Sequence, residues 1–487
     1  MSKIKYLHGK ARKIRAPRLK RGLCMPNQAT KTDIFERGSI ISAILTLAIP
    51  TVVSQIILVV YNMADTYFIG MTGRDDMITA VTVCMPSFMF LAAIANLFGV
   101  GGSSVIARAL GSGDIDRAEN TASFSFWGCA LVTAVYALGA YIFRDAFVNA
   151  LGGSHPRVHG MAGSYLLITV VIGGLGTSLN SLLGHLVRSE GRSMHAGVGI
   201  ALGGVLNIAL DPLFMFALLP RGHEVEGAAV ATALSNLIAC LYFLILIRRG
   251  RSHSVLRLRP TRQCLELDIP RDVLVTGLPA CLMTLCENIS YAVLDKLMSG
   301  WGLTCQTGIG IAKKVNMLAH SMVRGMAQGV LPLIAYNYAK GNHRRMRSAV
   351  LTSTVISVLL AALCMATSLL FSEPLVGIFI QHSSHSLTFG AVFLRILCIG
   401  GPFSACAYAF ISFFQAVGES RKSFILAVLR KGILDIPLMF ALNRLFPIYG
   451  IVWATPAADI ACAAVAVVLF SAFIRPLLGS VDAKAEG

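Results

Sequence analysis

Residues 47–70 read LAIPTVVSQIILVVYNMADTYFIG. The run supplies the roughly 20 apolar residues that a helix needs to cross a bilayer. It nevertheless carries a carboxylate, Asp65, and an ionisable group inside a membrane helix costs on the order of 2.5–3.5 kcal/mol or more. That cost argues for a use. Pro50, in the same helix, has no N–H and leaves one carbonyl without its usual donor, which makes it a candidate bending point. Tyr61 precedes Asp65 by four residues and so shares its face, within reach of a hydrogen bond. The pattern recurs in 276–300, TGLPACLMTLCENISYAVLDKLMSG, as Pro279, Tyr291 and Asp295. Two helices with proline, tyrosine and aspartate in the same order point to a duplicated membrane protein.

Composition agrees. The 487 residues are 55% hydrophobic and only 14% charged, with mean hydropathy +0.70, where soluble domains carry about 25% charged residues. The twelve cysteines form no CxxC and no cluster with histidine, so neither a zinc site nor a disulfide scaffold is indicated. Twelve apolar segments are predicted: 40–69, 77–105, 119–143, 160–184, 194–219, 226–248, 273–299, 305–336, 347–371, 387–416, 424–446 and 448–474.

Loop charge sets the expected orientation. With the N-terminus inside, the inner loops and tails hold 30 Lys and Arg and the outer loops 6. Both termini are therefore expected in the cytoplasm of a multi-pass cell-membrane protein, and the net charge of +18 calls for no nucleic acid. The domains read as a basic tail 1–39, an N-lobe 40–248, a cytoplasmic linker 249–272, a C-lobe 273–476 and a tail 477–487. The first 32 residues hold ten Lys or Arg and no acid, which suits attraction to anionic lipid.

The halves also match at FGVGGSSVIARALGSGD and GMAQGVLPLIAYNYAKGN, at HLVRSEGRS and FFQAVGESRKS, and at NIALDPLFMF and KGILDIPLMF. Six helices per repeat give parallel repeats about an axis along the membrane normal, and transporters bind substrate between such halves. The fold class is thus all-α and polytopic, with twelve transmembrane helices in two pseudo-symmetric six-helix lobes. No GxxxxGK[ST] and no HExxH is present, so neither a primary pump nor a metallohydrolase is indicated, and no cofactor is called for.

The same landmarks resemble those of the multidrug and toxic compound extrusion (MATE) transporters along the whole apolar length. They are Pro50, Tyr61 to Thr66, Gly99 to Ser103, Ala107 to Gly111, Arg188 to Arg192, Asn207 with Asp211-Pro212, Gly227 to Thr232 and Gln328-Gly329 with Pro332 and Tyr336 to Tyr338. The last run is most similar to the MepA-type bacterial branch. The resemblance implies a secondary antiporter, not an enzyme. It would act as a monomer in lipid and export amphipathic, cationic small molecules in exchange for protons or sodium ions. A flippase for lipid-linked oligosaccharide, from the same superfamily, is the alternative; its cavity would be lined by several arginines.

Asp65 and Asp211 fall in the outer half of the first and fifth helices, by parity in one lobe. Asn207 lies one turn before Asp211, and Thr232 follows in the sixth helix. Two neighbouring acids in a low dielectric do not readily both ionise, so the set can hold a proton. The oxygens of Asp65, Asn207, Asp211 and Thr232 can equally ligate Na+, and relatives carry a proton or sodium site at these positions. In the second half Lys431 replaces Asn207 before Asp435 and is expected to neutralise it. Glu287 matches a carboxylate of the NorM-type branch and, with Asp295, is a candidate for the substrate cavity; Lys313 and Lys314 are candidate ion-pair partners of Glu287 or Asp295. Arg108 and Arg395 are expected as helix-end anchors. Asp459 has no evident partner in sequence.

Overall fold

The computed structural model describes residues 29–151, 155–250, 254–266, 268–379 and 384–485. Expectations for the first 28 residues lie outside them. The chain forms twelve membrane helices in two six-helix lobes. The first lobe holds α1 (Ile40–Met71), α2 (Asp75–Ser112), α3 (Ile115–Ile142), the bent α4 (Pro156–Ile172 and Gly174–Ser189), α5 (Ser193–Leu218) and α6 (Glu224–Arg249). The second holds α7 (Asp268–Ser299), α8 (Leu303–Ala339), α9 (His343–Leu370) and the bent α10 (His385–Ile399 and Gly401–Val417). It is completed by α11, built from Ser420–Val428, Leu429–Leu434 and Asp435–Leu445, and α12 (Tyr449–Leu477).

Ten of these are long and apolar enough to span a bilayer when each bent pair counts once. The exceptions, α8 and α11, carry Lys313, Lys314 and Arg324, and Arg430, Lys431 and Asp435. Their polarity is turned inward: Arg430, Lys431 and Asp435 are buried, so these helices lose hydropathy to internal ion pairs, not to lipid exposure.

The duplication is visible in backbone detail. α4 and α10 bend by 49° and 43° at glycine-flanked breaks. α5 and α11 each contain a π-helical segment, Leu213–Leu218 and Leu429–Leu434, near Pro212 and Pro437, whose missing N–H perturbs the α ladder. α2 and α8 end in left-handed glycines, Gly113 and Gly341. The following Asp114 and Asn342 cap α3 and α9 by accepting from Arg117 and Arg345 N–H at 3.0 and 3.1 Å.

The lobes meet through α1 against α8 and α2 against α7. Glycine makes the seam close. A Cβ at Gly277 would overlap the Leu97 carbonyl, one at Gly101 the Val273 carbonyl, and those at Gly325 and Gly329 the backbone of Val52 and Ala48. All lie in the half of the bundle nearer the termini. Small residues allow this approach where lipid offers no hydrophobic drive.

A strap reinforces that end. Helix Ala29–Glu36 lies ahead of α1, with Phe35 wholly buried. Arg345 donates to the carbonyls of Phe35, Gly38 and Arg37 at 2.8, 3.0 and 3.1 Å, and Asn337 donates to Phe35 at 3.0 Å. Glu36 pairs with Lys340 and accepts from Tyr336. Phe35 and Ile34 also pack on Gly191, at the α4–α5 turn of the other lobe. These bonds to the side chain of Glu36, Lys340 first, hold its carboxyl below the ordinary value of 4.5.

Candidate functional site

α1, α5 and α6 bring together the residues singled out in the first lobe. Asp65, Asn207, Asp211 and Thr232 are all buried, Asp211 completely. The Asn207 amide donates to Asp211 Oδ1 at 3.3 Å and to Thr232 Oγ1 at 3.2 Å. Asp65 of α1 and Asp211 of α5 are neighbouring buried carboxylates. Tyr61 is buried on the same face, but no hydrogen bond joins its hydroxyl to Asp65 among the described residues, where the sequence spacing had suggested one. Asp65 Oδ1, Asn207 Oδ1 and Asp211 Oδ2 are buried with no hydrogen-bond partner. The site is thus a small cluster of oxygens, with no basic side chain paired to either acid among the described residues. Buried polar atoms are normally satisfied, so three orphans in one place call for a positive guest. Sequence reasoning missed Asn180 and Asn236. They extend this network, Asn180 donating to Asn236 at 3.0 Å and Asn236 to the Thr232 carbonyl at 2.9 Å.

Pro50 does not break α1, which is continuous from Ile40 to Met71. Its carbonyl instead faces Gly197 of α5, where a Cβ would stand at 2.7 Å. α1 therefore carries the acid at one end, and the glycine seam with α8 at the other.

The corresponding region of the second lobe is built of ion pairs. Lys431 Nζ lies 2.8 Å from Asp435 Oδ2, as the spacing predicts; Ser290 and Thr455 also donate to Asp435, at 2.6 and 3.0 Å. Asp459 finds its partner in Arg430, at 2.7 Å with both side chains buried. Glu287 pairs with Arg324 at 2.6 Å, not with Lys313 or Lys314. Lys313 pairs with Asp295, one of the two acids expected for it. Both acids proposed for the substrate cavity are therefore engaged by cations. Arg395 donates to Ser372 at 2.6 Å near a helix end, as expected, whereas Arg108 is wedged between the lobes against Gly418 and Thr276.

Between the lobes, level with the glycine seam, lies a narrow cavity lined by α2, α4, α7, α8 and α10. Asn96, Thr284, Arg324, Gln328 and Tyr408 supply its polar lining and Val100, Met283 and Leu331 its apolar lining. Asn96 bridges to Thr284 at 2.9 Å across the lobes.

Comparison with known proteins agrees with this architecture. The MatE family model matches residues 50–213 and 279–441, one match per lobe. The multidrug export protein MepA of Staphylococcus saprophyticus is 29% identical over 438 residues, covering 89% of this chain and 94% of its own. MepA of Staphylococcus aureus is 27% identical over 439 residues, with 89% and 94% covered. A solved structure described as the outward-facing conformation of a multidrug resistance MATE family transporter of the MOP superfamily superposes with a TM-score of 0.85. It covers 92% of this chain and 99% of its own at 24% identity. With both of its halves matched, the chain belongs to the MatE family of multidrug export transporters.

Proposed function

We propose that the protein is a secondary antiporter, acting as a monomer in the cell membrane with both termini cytoplasmic, that exports amphipathic, cationic organic compounds in exchange for protons or sodium ions. The observation that carries the coupling half of this reading is the trio of orphaned oxygens on Asp65, Asn207 and Asp211. Oxygen donors suit a proton or a small hard cation. When the ion leaves, two carboxylates face one another in a low dielectric, and their repulsion favours separation of α1 from α5. α1 also forms the seam with α8 at Val52 and Ala48. A shift or bend of α1 at Pro50 therefore loosens or tightens the lobe interface, so ion occupancy biases which side the cavity faces.

The flippase alternative calls for a cavity lined by several arginines, and among the described residues Arg324 is the one arginine lining the interlobe cavity. The test of the proposed function is flux in proteoliposomes under separately imposed proton and sodium gradients. Uphill movement of a substrate driven by one gradient supports it; flux insensitive to both overturns it.

A further inference from the structure

The two lobes differ in the sign of the charge they leave over. In the first, the buried acids Asp65 and Asp211 have no basic partner among the described residues. In the second, Glu287, Asp435 and Asp459 are each answered by a base at 2.6–2.8 Å. Lys314, half-buried in α8, has no carboxylate partner among the described residues. Within the Glu287–Arg324 pair the cation is the member that faces the cavity: the Arg324 side chain is 28% exposed, that of Glu287 10%. Arg324 spends a single nitrogen, Nη2, on both Glu287 and the Tyr408 hydroxyl, at 2.6 and 3.3 Å. Its Nε is buried without a partner, whereas Nη1, which makes no bond among the described residues and is not a buried orphan, is the nitrogen left to the cavity that Arg324 lines. Tyr408 is held beneath by Arg430, whose guanidinium lies 4.4 Å from the ring centroid, so the Arg324 fork is fixed in place.

A fixed guanidinium, turned into an interlobe cavity of mixed polar and apolar lining, fits a compact oxyanion on an otherwise apolar body. We infer that the interlobe cavity binds substrates through an anionic group, a carboxylate or a similarly compact oxyanion, at Arg324. This rests on the transport reading above and narrows its substrate class, from amphipathic cations in general to those that also bear such a group. Gln328 and Thr284, which line the same cavity, supply neutral donors beside it.

The test compares two dyes that differ only in that group: rhodamine B, a zwitterion with a free carboxylate, and its ethyl ester, a cation. Binding to the purified full-length protein is followed by fluorescence polarisation, without any gradient, in detergent free of anionic lipid. A charge-assisted hydrogen bond predicts about tenfold or greater preference of the wild type for the free acid. Arg324→Gln alone leaves Glu287 unpaired, so the decisive variant is the neutral pair Glu287→Gln/Arg324→Gln. In it the ratio of acid to ester affinity should fall to about one, whatever the absolute affinity for either dye. Equal or tighter wild-type binding of the ester overturns the inference, as does a preference that survives in the double variant. Competition by added phosphatidylglycerol that removes acid binding assigns the guanidinium to lipid headgroups and also overturns it. A protein that discriminates the dyes yet moves neither under a gradient refutes the transport reading and leaves the subsite standing; driven flux without discrimination does the reverse.

Discussion

Lys431 Nζ stands 2.8 Å from Asp435 Oδ2, one turn along α11, where the duplicated half of the chain places Asn207 before Asp211. One substitution within the repeat thus converts an acid that lacks a basic partner into half of a buried ion pair. Removing the cation alone leaves a buried anion, a loss of about 3–5 kcal/mol in comparable cases. Lys431→Met should therefore lower the unfolding temperature sharply. Lys431→Met/Asp435→Asn should be milder, because Ser290 and Thr455 can still bond the amide. Thermal unfolding of the purified variants checks this; a double variant less stable than the single one refutes the pairing as the source of the loss.

This contrast marks what the sequence could show. Asn207–Asp211 and Lys431–Asp435 are neighbours within one helix, and the 3.6-residue period announces both. Parity of the spans placed Asp65 beside Asp211. The pairs Glu287–Arg324 and Arg430–Asp459 join different helices. Their formation depends on how one helix is rotated and slid against another, which no periodicity within a single segment records. Lys313 and Lys314 lie close to Asp295 across the α7–α8 turn, so the chain's local geometry favoured them as partners for the α7 acids; the rotation of α8 delivers Arg324 to Glu287 instead. The Asn180–Asn236 bridge was hidden for the same reason.

The glycine seam predicts a conformational phenotype without loss of folding. A side chain at Gly277 meets the Leu97 backbone, which cannot rotate away. Gly277→Val should hold the termini end of the lobes apart. Cysteines placed across the seam, at Leu97 and Val273, should crosslink in the parent protein and fail to do so in Gly277→Val. Crosslinking at the parental rate shows that the seam is not the closed gate.

The strap predicts an acid-sensitive step at the same end. The Glu36 carboxyl is held below its ordinary value of 4.5, chiefly by its bond to Lys340 and then by Tyr336. A lowered value in the folded state means that the contact contributes fully above pH 4.5 and fades as pH falls through and below it. Protection of the Ala29–Glu36 helix against hydrogen exchange, taken relative to the intrinsic amide rate at each pH, should therefore fall on acidification below about pH 4.5. Glu36→Gln should show the lower protection already at neutral pH, with its acid dependence removed. An unchanged acid profile in Glu36→Gln assigns the response to another group.

The last prediction concerns coupling. Asp65 on α1 and Asp211 on α5 share one buried pocket, and each leaves an oxygen without a donor. If the two hold the coupling ion together, neither suffices alone. Asp65→Asn and Asp211→Asn should each abolish gradient-driven export. The double variant should be no worse than either single, as for groups that act as a unit. Substrate binding should survive in all three, since neither acid lines the interlobe cavity. In the wild type, substrate release should depend on pH or on sodium, and the dependence should vanish in the variants. The same experiments separate coupling from structure. A merely structural acid would lower stability and binding together, whereas a coupling acid leaves binding intact and uncouples it from the gradient. Efflux from proteoliposomes with matched protein amounts decides the matter. Full gradient-driven transport by Asp211→Asn would remove α5 from the coupling mechanism and leave its carboxylate a packing element beside Asn207 and Thr232.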